Sequence, residues 1–246
     1  MLFRSLNGDN HPAVATSYSY IGQIYFAQND YSKALDYFKK SLKLDLSFFG
    51  ENHPSVASGY YNIGYVYFAQ GDYSKALEYF EEVLKIRLSV YGENHSRVAS
   101  VYNDIGEIYS VQGDDFKALD YFKKSLKIVL SVYGENHSQV SSIYDHIGEI
   151  YFAKKDYSKA LYYFEESLKI RLSLFGENHP EVALSYYSIG SLYIIQGDKS
   201  KALNYYEKSL KIRLSVYGEN HPLTKEIMDL INVANSKVLQ SPETTK

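Results

Sequence analysis

The sequence predicts an all-α protein, a right-handed superhelical solenoid of antiparallel helix pairs. Three observations carry that expectation. A histidine recurs at His11, His53, His95, His137, His179 and His221, a constant step of 42 residues. A period of this size marks stacked supersecondary units rather than one compact fold. Within each unit, apolar residues return at the 3- and 4-residue spacing of a helix, and Gly- or Asp-containing breakers separate the segments. The aromatic bias agrees with copying of one module, since there are 27 Tyr and no Trp.

The elements follow in order. Leu2 to Asn10 align with Leu44 to Asn52, so residues 1–10 read as the end of a preceding repeat helix and the chain is expected to begin inside a unit. Five repeats follow at 11–52, 53–94, 95–136, 137–178 and 179–220. In the second, a first helix is expected from about Pro54 to Gln70, with Val56, Tyr60, Ile63, Gly64 and Tyr67 on one face. Pro54 suits the first turn, and Asn52 or His53 suits the cap before it. Gly71-Asp72 breaks the chain, and a second helix runs from Tyr73 to Tyr91 with Ala76, Leu77, Phe80, Leu84 and Leu88 on one face. Gly92 fits the left-handed residue beyond a helix end, and Lys85 and Arg87 fit the negative end of the helix dipole. Residues 221–240 predict a capping helix, with Ile227, Leu230, Ile231, Ala234 and Val238 facing the array. Lys225, Glu226, Asp229 and Asn232 make its other face polar, and residues 241–246, after Ser241-Pro242, are expected to be a disordered tail.

Packing explains other fixed positions. Gly22, Gly64, Gly106, Gly148 and Gly190 lie mid-helix, where glycine costs about 1 kcal/mol relative to alanine. Close approach of the partner helix at the level of Ala34, Ala76, Ala118, Ala160 and Ala202 is the expected reason. The recurring lysines of the second helices, such as Lys33 and Lys43, read as a solvated face, with Glu81 and Lys85 paired one turn apart.

Composition excludes several classes. With 26 Lys+Arg against 29 Asp+Glu, the formal charge is −3, without the positive surplus that nucleic acid requires. There is no Cys, which removes disulfides and thiolate chemistry. No signal-peptide core and no membrane-spanning apolar run is visible, so a cytoplasmic protein without membrane contact is expected. Asn94-His95-Ser96 and Asn136-His137-Ser138 match a glycosylation acceptor pattern but read as loop coincidences. The periodic histidines stand too far apart to share a metal, given that stacked helices are about 8–10 Å apart, and instead suggest capping or loop packing. His146, outside the period, has only Glu149 one turn later. No phosphate loop, zinc-protease motif or nucleophile elbow occurs, so neither a catalytic residue, a metal nor a cofactor is expected.

Tyr60-x-x-Ile63-Gly64-x-x-Tyr67 followed by Ala76-x-x-x-Phe80 resembles the tetratricopeptide (TPR) pattern. It recurs as Tyr18, Ile21, Gly22, Tyr25, Ala34 and Phe38 and in the remaining units, with Tyr206 in place of Phe in the fifth. The Gly-Glu-Asn-His-Pro-x-Val-Ala connection at Gly50 to Ala57 is similar to the 42-residue repeats of kinesin light chains. The resemblance covers about residues 11–220.

In TPR proteins the first helices line a concave groove, and by resemblance the variable stripe of those helices faces it. That stripe offers Tyr20, Gln23 and Phe26; Tyr61, Asn62, Tyr65 and Phe68; Asn103, Asp104 and Glu107; Asp145, His146, Glu149 and Phe152; and Tyr187. Asp104, Glu107, Asp145 and Glu149 are expected to form a negative strip flanked by aromatics, with no Lys or Arg in it. The expected function is a non-enzymatic scaffold or adaptor that binds a protein or peptide segment, basic and with apolar anchors. The alternative is an architectural spacer or self-associating segment of a larger signalling protein.

Overall fold

The computed structural model describes residues 12–236. The expected preceding helix at 1–10, His11, the last four residues of the capping segment and the tail at 241–246 lie outside the described residues.

Eleven α-helices and no strand occur among the described residues. The first helices of the repeats are α1 (Pro12–Ala27), α3 (Pro54–Ala69), α5 (Ser96–Val111), α7 (Ser138–Ala153) and α9 (Pro180–Ile195). Their partners are α2 (Tyr31–Phe49), α4 (Tyr73–Tyr91), α6 (Asp115–Tyr133), α8 (Tyr157–Phe175) and α10 (Lys199–Tyr217), and α11 (Pro222–Ser236) follows. The chain divides into two compact units, Met1–Val132 and Tyr133–Lys246. The first has its core on Phe38, Ile63, Val66, Phe80, Ile105 and Ile108. The second has its core on Phe164, Val182, Ile189, Leu192 and Ile212.

The helix ends show why the period is so regular. His53 Nδ1 accepts the backbone N–H of Ser55 at 3.1 Å, and His95, His137, His179 and His221 accept from the residue two places on at 3.1–3.3 Å. Each ring also stacks on the aromatic four residues earlier, as His53 does on Phe49 at 4.0 Å and His137 on Tyr133 at 4.2 Å. Capping and loop packing are therefore one device. The second helices are capped by Asp30, Asp72, Asp114, Asp156 and Asp198, whose carboxylates accept the N–H of the lysine three residues on. An aspartate there satisfies a free N–H and suits the positive end of the helix dipole.

Four local expectations are corrected. Gly92 has positive φ (76°) but ψ of 172°, an extended conformation open to glycine alone rather than the left-handed helical one. Four of the five mid-helix glycines, Gly64 excepted, make room for an aromatic ring more than for an alanine. A Cβ on Gly22, Gly106 or Gly148 would stand 2.7–2.8 Å from Phe38, Phe122 or Phe164, and one on Gly190 would stand 2.7 Å from Tyr206. Lys85 pairs with Glu82 at 3.7 Å rather than with Glu81. The repeated Lys33, Lys75, Lys117, Lys159 and Lys201 are not merely solvated, since each bridges to the capping aspartate and lies over a tyrosine ring at 4.7–5.1 Å.

The tyrosine bias now has a cause. Each repeat stacks one tyrosine of its second helix on one of its first, as Tyr37 on Tyr25 at 5.5 Å and Tyr121 on Tyr109 at 5.6 Å, with Tyr18 or Tyr102 beside them. Such rings bury a large apolar face while the hydroxyl stays in water.

Candidate partner-binding face

The variable stripe of the first helices is assembled differently in the two units. In the first unit, Tyr20 is 63% exposed and Tyr65 44%, and Gln23 is open to solvent. Phe26 and Tyr65 meet across two repeats at 5.6 Å, Tyr65 lies 6.1 Å from Phe68, and Tyr61 stacks on Tyr65 at 6.2 Å. Four of the expected residues thus form one half-buried aromatic row. Asn62 is brought to Ser19 of the preceding repeat, its Nδ2 donating to Oγ at 3.3 Å. Tyr61 is also held from below, edge-on to Phe80 at 5.4 Å and under the Arg87 guanidinium at 5.3 Å.

Asp104 behaves unlike an open carboxylate. Burial, reinforced by the neighbouring Glu107, raises its pKa to about 7, against the opposing effects of the Tyr61 hydrogen bond and the Arg87 charge. Its Oδ2 and the Oδ1 of Asn103 are buried without a hydrogen bond. Asn103 Nδ2 donates to Glu107 Oε1 at 2.6 Å.

In the second unit, Asp145 is taken up by the fold. Arg171, 4% exposed, pairs with its Oδ2 at 2.7 Å, with Glu181 at 2.9 Å, and donates to Ser185 Oγ at 2.7 Å. Burial still raises the Asp145 pKa to about 6, against the pull of Arg171. His146 Nδ1 lies 3.9 Å from Glu149 Oε2, and the Glu149 side chain is 68% exposed. Phe152 meets Tyr157 at 6.0 Å. Tyr187 donates to Glu226 of α11 at 3.1 Å and lies under Arg213 at 5.0 Å, so it secures the last helix.

The expectation of four open acidic groups is therefore corrected: Asp104 is half-buried with its Oδ2 sealed from solvent, and Asp145 is ion-paired. The sequence reading missed the arginines responsible. Arg87 does not serve the end of its own helix, which runs on to Tyr91 without a basic last turn. Its guanidinium reaches the carbonyl of Arg97 at 2.7 Å and Ser100 Oγ at 3.0 Å, both on α5. The signal was the column Asp45, Arg87, Val129, Arg171 and Arg213, in which acidic, basic and apolar residues exchange at one place on the second helices. Among the described residues, no three His, Cys, Asp or Glu converge to hold a metal, and no helix is long and apolar enough to cross a membrane.

The tetratricopeptide repeat model matches residues 2–47, 44–89, 55–130, 97–173 and 139–215. No curated protein matches the chain. Among solved structures, the chain is similar to BtubC (BKLC) from P. vanneervenii, with 24% identity and a TM-score of 0.75 over 86% of this chain and 84% of that one. It is similar to a putative kinesin light chain with nearly identical TPR-like repeats from Podospora anserina, with 17% identity and a TM-score of 0.70 over 84% of this chain and 98% of that one. The Rap conjugation gene regulator of plasmid pLS20, solved in complex with the Phr* peptide, shares 17% identity and a TM-score of 0.72 over 96% of this chain and 62% of that one. Likenesses at these identities concern the fold. The family model spans most of the sequence, and the chain belongs to the tetratricopeptide repeat family.

Proposed function

We propose that the chain is a non-catalytic scaffold in the cytoplasm that binds a segment of a partner protein along the exposed face of its first helices. The observation that carries this reading is the row Phe26, Tyr65, Phe68 and Tyr61, which leaves aromatic surface open after the core is complete. A single exposed apolar residue means little, but a cluster of aromatics rimmed by polar groups is the usual surface of contact. Tyr20, Gln23, Asn62, Asn103 and Glu107 supply polar and apolar contacts beside it in the first unit, and His146 and Phe152 offer contacts of their own in the second. The open carboxylate of Glu149 favours a segment with basic residues, and the aromatic row favours apolar anchors. The Rap regulator solved with a peptide is a protein of similar fold in which a peptide is bound.

Panning a random peptide library against the chain tests the reading. Enriched peptides should carry aliphatic or aromatic anchors beside Lys or Arg, and Tyr65→Ala with Phe26→Ala should weaken them at least tenfold. Failure to enrich any peptide, or acidic peptides indifferent to both substitutions, would overturn it and move the architectural, self-associating reading ahead.

A further inference from the structure

The first repeat carries a polar pocket that the aromatic row does not use. It opens between α1, α2 and α3 with a volume of about 240 Å³, and Ser19, Asp45, Ser55, Ser58, Gly59 and Asn62 are among its lining. Sites that take a whole small molecule measure about 300–1,000 Å³, so this one suits a single side chain. Asp45 is only 9% exposed, and no hydrogen bond or ion pair reaches its carboxylate among the described residues. Burial raises its pKa, against the pull of His53.

The other repeats show what occupies such a space. The position of Asp45 is Arg87, Arg171 and Arg213 in repeats 2, 4 and 5. These side chains cross to the start of the following first helix. Arg87 donates to the Arg97 carbonyl and Ser100 Oγ, Arg171 to Ser185 Oγ, and Arg213 pairs with Glu226 at 3.3 Å. The equivalents of residues 97, 100 and 185 are Ser55, Ser58 and Gly59, and the equivalent of Asp145, the partner of Arg171, is Ser19. All four line the pocket. Much of the arginine's place therefore remains, the arginine is missing, and a carboxylate stands where its stem would start.

We propose that this pocket binds the guanidinium of an arginine side chain supplied by a partner polypeptide, with Asp45 as its counter-ion. A planar guanidinium can meet a carboxylate through two hydrogen bonds and still donate to the serine hydroxyls, which a lysine ammonium does less well. A buried carboxylate without a partner is costly, and an incoming cation relieves that cost. The inference rests on the segment-binding reading for the origin of the arginine, but not for the chemistry of the pocket.

The test is an NMR titration of the full chain with N-acetyl-arginine N-methylamide, following the backbone amides of Ser19, Ser55, Gly59 and Asn62. These amides should shift saturably. The neutral isostere N-acetyl-citrulline N-methylamide and the lysine analogue should each bind at least tenfold more weakly. Asp45→Asn should reduce affinity at least tenfold, and Ser58→Leu, which blocks the mouth from an exposed position, should abolish the shifts. Agmatine binding more tightly than the blocked arginine would assign the pocket to a small guanidine and overturn the polypeptide source. Equal binding of citrulline, shifts confined to other residues, or indifference to both substitutions would overturn the site itself. Arginine binding without any enriched peptide in the panning sinks the groove reading alone, and enriched peptides without arginine binding sink the pocket alone.

Discussion

Gly106→Ala is the sharpest probe of how the repeats are held. A Cβ on Gly106 would lie 2.8 Å from Phe122 Cε1, 2.9 Å from Cδ1 and 3.2 Å from Cζ. Carbon atoms rest at about 3.5–4.0 Å, so the ring would have to retreat by roughly 0.7 Å. Phe122 is 0% exposed, and a close-packed interior resists such a movement. Overpacking of this kind costs about 1–3 kcal/mol, against a helix-propensity gain of about 1 kcal/mol for replacing glycine by alanine. A net loss of up to about 2 kcal/mol is expected.

Gly64 provides an internal control. It occupies the same place in the Ile-Gly motif, but its nearest neighbours would be Tyr79 Cβ at 3.1 Å, the Ala76 carbonyl at 3.5 Å and Phe80 Cζ at 3.6 Å. Gly64→Ala should therefore cost less than Gly106→Ala, with propensity offsetting most of the contact. Urea melts measure both, with the midpoint compared at constant slope. Phe122→Leu should lose stability alone yet recover about 1 kcal/mol or more when combined with Gly106→Ala, a coupling that only neighbours show. Equal losses at the two glycines, or strict additivity with Phe122→Leu, would refute the assignment of the ring as the reason for the glycine.

Three further outcomes are expected. Asp104 binds its proton more tightly folded than unfolded, so its contribution to stability is complete below pH 3.8 and is lost as pH rises through about 7, by at most about 4 kcal/mol; Asp104→Asn should flatten that fall, and identical urea midpoints for variant and parent at pH 5 and at pH 8 would sink the idea. Arg171→Met should cost about 3–5 kcal/mol because Asp145 is left buried and unpaired, and adding Asp145→Leu should restore most of it; a double variant no better than the single one would mean that the pair is not coupled. His137→Ala should lose about 1 kcal/mol with the cap to Gln139 and the Tyr133 stack, while His137→Asn should keep the capping share; thermal melts separate the two, and an Ala variant as stable as the parent would count against a capping role.

Most of the fold was legible because the period forces it. Once a helix pair repeats every 42 residues, packing positions must repeat too, and the bounds expected for the second helix of repeat 2, Tyr73–Tyr91, are those observed. Its partner ends at Ala69 with Gln70 as cap, one residue from the expectation, which is the usual scatter of a helix end. The residue types at the caps were visible, but not which atoms they use. That His53 accepts through Nδ1 while stacking on Phe49 depends on a loop conformation that periodicity does not encode. Asp72 passed as a turn residue because the Gly71-Asp72 pair signals a break before it signals a cap.

The aromatic part of the candidate face was legible for the same reason, since Phe26 and Phe68 are one repeat apart and Tyr65 lies one turn before Phe68 on the same helix. Its electrostatics were not. The charge of a first-helix carboxylate depends on the second-helix residue beneath it, and that residue is distant in sequence. Asp145 has Arg171 beneath it and is consumed by the fold, whereas Asp104 has Arg87 nearby and is half-buried without forming a pair at ion-bridge distance.

The same dependence makes the first repeat different in kind. Ser19 stands where Asp145 stands and Asp45 where Arg171 stands, so the acidic group has moved from the first helix to the second and its cation is gone. In the repeats that keep the arginine, the guanidinium joins one repeat to the next through Ser100, Ser185 or Glu226. In the first repeat the corresponding junction has a hydrogen bond from Asn62 to Ser19 and an open pocket. An occupant that brings its own guanidinium would supply the missing link, tightening this junction as it binds. Binding and stability are then coupled at one repeat only, so a ligand of this pocket should protect α1 to α3 against hydrogen exchange and leave α8 to α10 unchanged.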